Sequence, residues 1–138
     1  MSEIVRFGVS LEKELLDKFD RLIKEKKYPN RSEAIRDLIR ENLVKREWVE
    51  GKEVAGSITL VFDHHKRELV NILTDIQHDF HPLIISSQHI HLDYDNCLEI
   101  IVVRGKPGEV RELSDKLRST KGVKYGALSI ATTGKELV

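Results

Sequence analysis

Residues 3–10 (EIVRFGVS) alternate, with Val5, Phe7 and Val9 on one face and Ile4, Arg6, Gly8 and Ser10 on the other, the period of two that predicts a strand. It is a lone strand. Ser10 stands where an N-cap would, and Leu15, Leu16, Phe19, Leu22 and Ile23 then recur at helical spacing until Tyr28-Pro29 breaks the pattern. A second helix follows at once: Asn30 is placed to cap it with Glu33 reaching back, and Ala34, Ile35, Leu38, Ile39 and Leu43 form its apolar stripe. The stripe fades over residues 46–53 (REWVEGKE), which predicts a linker. A strand and two helices of about 45 residues bury too little apolar surface to stand alone and leave the strand unpaired. Dimerisation supplies both needs, the two strands pairing antiparallel across a twofold axis.

From residue 54 the pattern reads strand (57–62), helix (66–76), strand (83–92), strand (97–103), helix (108–119), strand (123–131). This is βαββαβ, the ferredoxin-like order, with the middle strands joined at the turn-forming tetrad Asp93-Tyr94-Asp95-Asn96. The chain is therefore expected to be α+β: a βαα module over residues 1–47, a linker at 48–53 and a ferredoxin-like domain over 54–138. No internal repeat or low-complexity tract interrupts it.

Composition changes this picture little. Apolar residues make up 40% and charged residues 33%, which excludes disorder and allows packed cores. No apolar run approaches the roughly 18 residues of a membrane-spanning helix, and the early chain has no signal-peptide core, so a cytoplasmic protein with no membrane partner is expected. Net charge is zero, so nucleic-acid binding has no support from bulk charge. Histidine does divide the chain: His64, His65, His78, His81, His89 and His91 all lie in the second module.

In the dimeric ribbon the face away from the helices displays Arg6 and Ser10 twice, and a two-stranded ribbon fits the DNA major groove. The start of the second helix adds free backbone amides with Arg31 and Ser32, suited to a phosphate. A plain dimerisation unit would show the same pattern. The segment QHIHLDYDNCLEI carries the chemistry. Residues two apart on a strand share a face with Cα atoms about 6.6 Å apart, so His89 and His91 converge, and the hairpin returns Cys97 beside them with Glu99 next along. Ile90, Leu92, Leu98, Ile100 and Val102 are expected on the opposite face beneath the domain's helices, leaving the metal face open to another subunit. His78, just past the first helix of this domain, is a possible fourth ligand. Imidazole with thiolate suits zinc, copper or nickel, and spacing alone does not choose among them.

The stretches VRFGVSLEKELLDKF and YPNRSEAIRDLIRENL resemble the ribbon-helix-helix repressors, and the H-x-H followed by CLEI looks like the ACT-type regulatory domain of the nickel-responsive branch. The resemblance implies Arg6, Gly8 and Ser10 as DNA-reading positions, with Arg31 and Ser32 on phosphates. Gly8 departs from the hydroxyl side chain the family pattern favours. It also implies planar Ni(II), one per subunit, held by His89, His91 and Cys97 with His78 of a second subunit, His81 being the competitor for that place. A homotetramer, a dimer of dimers, follows. Such a protein represses nickel uptake from a palindromic operator. His64 stays open between loop residue, ligand-orienting partner and extra metal site, as does His65. Glu33 and Asp37, four apart on one helix face, read as ordinary helix charge or, by resemblance, as ligands of a cation when DNA is bound.

Two rivals remain. A Cys97 nucleophile with a histidine base would need an oxyanion site that is not visible, so no enzyme is expected. A ribbon-helix-helix regulator sensing another metal or a small organic effector would not require Cys97.

Overall fold

The computed structural model describes residues 3–138. Two compact units emerge: one runs to Leu43 and includes Glu136–Val138, the other spans Val44–Lys135.

In the first unit α1 covers Lys13–Glu25 and α2 begins at Arg31 and continues to Glu50. Ser10 does not cap α1. The helix starts three residues later, with Glu12 at the cap position and no side-chain cap bond. At its end Lys27 takes φ 63°, while Tyr28 N–H donates to Ile23 O at 3.0 Å and Lys27 N–H to Lys24 O at 3.1 Å. This is the Schellman closure, with lysine where glycine is favoured. Asn30 does cap α2, its Oδ1 accepting from Glu33 N–H at 2.9 Å. The Glu33 side chain does not reach back; it pairs with Arg36. Residues 3–10 form neither helix nor sheet ladder, and Ile4, Val5, Phe7 and Val9 are all more than 60% exposed. A ribbon strand needs a second strand to bond to, and among the described residues no strand pairs with this segment.

The expected linker is partly helical. Lys45–Glu50 continue α2, and in the second unit Trp48 is buried with its indole N–H donating to Ala131 O at 2.8 Å. One indole is a weak periodic signal, which is why the sequence pattern fades there. Gly56 makes room for it: a Cβ at that position would lie 2.7 Å from Ser129 O and 3.3 Å from the Trp48 ring.

The second unit is βαββαβ: β1 (Val54–Asp63), α3 (Arg67–Asp79), β2 (Ile84–His91), β3 (Asn96–Gly105), α4 (Pro107–Arg118) and β4 (Val123–Ile130), with a 3-10 turn at His81–Leu83. The sheet order is β2-β3-β1-β4 with every neighbouring pair antiparallel. This is the ferredoxin-like arrangement. Alternate residues of β1 (Val54, Ile58, Leu60, Phe62) pack with Leu69 and Leu73 of α3 and Val110, Leu113 and Leu117 of α4.

One expectation is reversed. On β3 the buried row is Cys97, Glu99, Ile101 and Val103, while Leu98, Ile100 and Val102 lie on the open face with Ile90 opposite Leu98. Both rows hold two aliphatic residues or more, so apolar count did not reveal which row faces the helices. The partner strand decides: Phe62, Leu60 and Ile58 of β1 sit opposite Cys97, Glu99 and Ile101.

Candidate metal centre

The edge strand β2 and its neighbour β3 build the site. Their register places His91 opposite Cys97 and His89 opposite Glu99, so these four side chains share the helix-bearing face. Their surroundings differ because β3 lies inside the sheet and β2 at its edge. Cys97 and Glu99 are buried, whereas His89 and His91 are exposed. The pair of imidazoles thus rims a buried thiol.

Cys97 Sγ lies 3.8 Å from His89 Nδ1, and the other ring nitrogen, Nε2, lies 2.7 Å from Glu99 Oε2. Gln77, on the last turn of α3, donates to both Glu99 oxygens at 3.3 and 3.4 Å. Burial pushes the Cys97 thiol up, a backbone hydrogen bond at Ile90 lowers it, and the Glu99 charge raises it further. Burial likewise raises the Glu99 carboxyl, against the opposing pull of His89 and the Gln77 hydrogen bond. A proton must therefore leave Cys97 before the sulfur can ligate a metal.

Donor chemistry here fits a borderline-soft divalent ion. Metal–nitrogen and metal–sulfur bonds of about 2.0 and 2.3 Å can span the 3.8 Å between His89 Nδ1 and Cys97 Sγ. The ring of His91 instead lies 4.4 Å from that of His64, tilted by 35° to it. His64 and His65 each place Nε2 within hydrogen-bond distance of Tyr94 O, at 2.9 and 2.8 Å. His64 thus touches His91 from the neighbouring loop. Among the described residues, the group whose donor atoms do converge is Asp63, His65 and Asp95. Sequence reasoning had not joined those three.

His78 lies within the last turn of α3, not beyond it, and is exposed, with its ring 6.0 Å from His81. No contact joins His78 to His89, His91 or Cys97 within the described residues of this chain. Gln77 is a neighbour of this cluster that sequence reasoning missed. It stands 22 residues from Glu99 with no shared periodicity to announce the contact.

At the other unit Arg6, Gly8 and Ser10 are exposed, and nothing lies within 4 Å of the position a Cβ would take on Gly8. Ser32 is exposed at the start of α2. Arg31 is held bidentately by Asp20, with Nε to Oδ1 and Nη2 to Oδ2 both 2.9 Å. Asp37 accepts from Tyr28 O–H at 2.6 Å and lies 3.7 Å from Arg40.

Fold and site together define a class: a ribbon-helix-helix module joined to a ferredoxin-like module with a nitrogen–sulfur metal rim. Residues 5–46 match the model of the ribbon-helix-helix protein, copG family, and residues 55–131 that of the NikR C terminal nickel binding domain. A protein of Syntrophus aciditrophicus is 60% identical over 135 residues, covering 98% of either chain. Another, of Thermococcus onnurineus, is 55% identical over 137 residues, covering 99% of either. Both carry the name "Putative nickel-responsive regulator". A solved structure of an uncharacterized protein from Thermotoga maritima matches with a TM-score of 0.54 at 15% identity, covering 59% of this chain and all of that one, a likeness of fold. The chain belongs to the nickel-responsive regulator family.

Proposed function

We propose that this protein is a nickel-dependent transcriptional repressor that binds a palindromic DNA operator as a homotetramer. The observation that carries the reading is the 3.8 Å approach of His89 Nδ1 to the buried Cys97 Sγ, with His91 opposite Cys97 on the exposed edge strand. His89, His91 and Cys97 of one subunit and His78 of another hold one Ni(II) per chain, His91 turning from His64 to complete the trio. His78 suits a bridging role because it is exposed and makes no contact with the trio of its own chain. A divalent ion so held would crosslink two subunits.

Residues 1–47 form the DNA-binding module and 54–138 the regulatory one. Arg6 and Ser10 read base edges from the paired ribbon, while Arg31 and Ser32 meet phosphates at the start of α2. The open sheet face bearing Ile90, Val102 and Tyr125, all partly exposed apolar side chains, supports packing against a further subunit. The match of residues 5–46 to the ribbon-helix-helix model supports DNA as the target, and a cytoplasmic site of action is part of the same reading.

Operator affinity measured with Ni(II), Cu(II), Zn(II) and no metal tests this. Nickel should tighten specific binding, and Cys97→Ala should remove that gain together with the sulfur-to-nickel charge-transfer absorption. Wild-type nickel response in Cys97→Ala would overturn the assignment and favour an effector that does not need the thiol.

A further inference from the structure

At one end of the sheet the turn between β2 and β3 closes on the segment between β1 and α3. Asp63, the last residue of β1, stands opposite Asn96 in the ladder, and His64 N–H donates to Asp95 O at 3.2 Å. Asp95 is also held from its own side, since Asp93 Oδ1 accepts from the N–H groups of Asp95 and Asn96 at 2.9 and 2.8 Å. These fixed backbones bring Asp63, His65 and Asp95 together, one donor atom of each lying within 4.8 Å of the others. His65 Nε2 is 3.9 Å from Asp95 Oδ1 and 2.8 Å from Tyr94 O. Among the described ion pairs neither carboxylate meets a lysine or arginine, and Asp95 has only His65. Two like charges held this close repel unless a cation comes between them.

We propose that Asp63, His65 and Asp95 form a second divalent-cation site, separate from the nitrogen–sulfur rim, that takes ions of the harder class such as Mn(II). None of its donor atoms belongs to His78, His89, His91 or Cys97, so it stands or falls apart from that ligand assignment. Two carboxylates and one imidazole make an oxygen-rich set without sulfur, and carboxylate suits Mn(II) where thiolate does not. Two bonds of about 2.0–2.2 Å, the length zinc makes to carboxylate oxygen and imidazole nitrogen, span the 3.9 Å between His65 Nε2 and Asp95 Oδ1. To ligate, His65 keeps its hydrogen on Nδ1 and offers Nε2, with Tyr94 O beside it as a further oxygen. His65 and Asp95 are exposed, which leaves the remaining positions of the ion to water. Charge agrees with this donor set, because two carboxylates neutralise one dication. An ion there ties the start of α3 to the turn that leads into Cys97, two residues beyond Asp95.

Titration of the full-length protein, first loaded with nickel, with Mn(II) tests the proposal, the free aquo ion being followed by its electron paramagnetic resonance. A further ion should bind to each chain. His65→Ala and Asp95→Asn should each weaken it by about 10-fold or more, at least the loss that removing an outer partner of a ligand brings. Asp63→Asn should weaken it too, while its remaining oxygen still accepts from His65 N–H and keeps the local backbone in place. Cys97→Ala, titrated without nickel, should hold Mn(II) as the wild type does. The proposal is overturned if no Mn(II) is taken up at millimolar metal, or if His65→Ala and Asp95→Asn leave the uptake unchanged. Loss of Mn(II) in Cys97→Ala places the ion at the sulfur rim and overturns it equally. A wild-type nickel response in Cys97→Ala sinks the reading of the rim and leaves this second site untouched.

Discussion

Three of the side chains expected to meet an outside partner are already engaged within the chain. Arg31 is clamped by Asp20, Glu33 by Arg36 and Asp37 by Tyr28. The Arg31 clamp matters for DNA, since the same guanidinium face that holds a carboxylate would hold a phosphate. The hydrogen bond from Arg31 holds the Asp20 carboxyl below its ordinary value. The sign follows directly: the pair contributes stability above the ordinary carboxylate range, and that contribution is lost as pH falls through the depressed Asp20 value. Because both groups are exposed the contribution is small. Asp20→Asn should release Arg31, tighten binding to random duplex, and steepen the salt dependence by about one unit for one added phosphate contact. An unchanged slope would mean that Arg31 does not reach the backbone even when free.

At the scale of elements, a strand's two faces are sorted by its neighbours. Cys97 and Glu99 are buried because β1 presents Phe62 and Leu60 opposite them, and His89 and His91 are open because β2 has no strand beyond it. The end of α2 is sorted in the same way, by the pocket that receives Trp48. That indole combines a large buried surface, a hydrogen bond to Ala131 O and the Arg111 guanidinium 5.3 Å above its ring. Trp48→Ala should destabilise the second unit by about 3–5 kcal/mol, measured by urea unfolding of the metal-free protein. A loss under 1 kcal/mol would show that α2 frays at this end in solution.

For the whole molecule, one chain leaves its own surfaces unfinished. Val5, Phe7 and Val9 at the N-terminal segment and Leu15, Leu22, Leu38 and Leu43 on α1 and α2 are exposed large hydrophobics, the pattern of a unit that folds with a second copy. On the proposed ligand set the metal rim is unfinished too, since the exposed His78 makes no described contact with His89, His91 or Cys97 of its own chain. Mixing His78→Ala chains with Cys97→Ala chains should restore part of the nickel binding, because an interface between them can combine His78 of one chain with the trio of the other. If mixtures allowed to exchange subunits bind no more nickel than the separate variants, His78 does not bridge. Metal that favours one arrangement of subunits must strengthen DNA binding, and DNA must strengthen metal binding by the same factor, since equilibrium coupling is reciprocal.

The sequence by itself determined the order of elements from α1 onward, the α+β class, the asparagine cap of α2 and the placing of His89, His91 and Cys97 on one hairpin, because each follows from periodicity or from short spacing; of the two imidazoles only His89 approaches the thiol. Family membership was legible in the same stretches. Tertiary structure decided what depends on contacts between distant residues: which face of β3 lies under the helices, where α2 ends, and that Gln77 donates to Glu99 beside His89. The fate of residues 3–10 belongs to a higher level still. Their alternation is a strand pattern, yet a strand exists only through hydrogen bonds to another, and in the described residues of one chain that neighbour is missing.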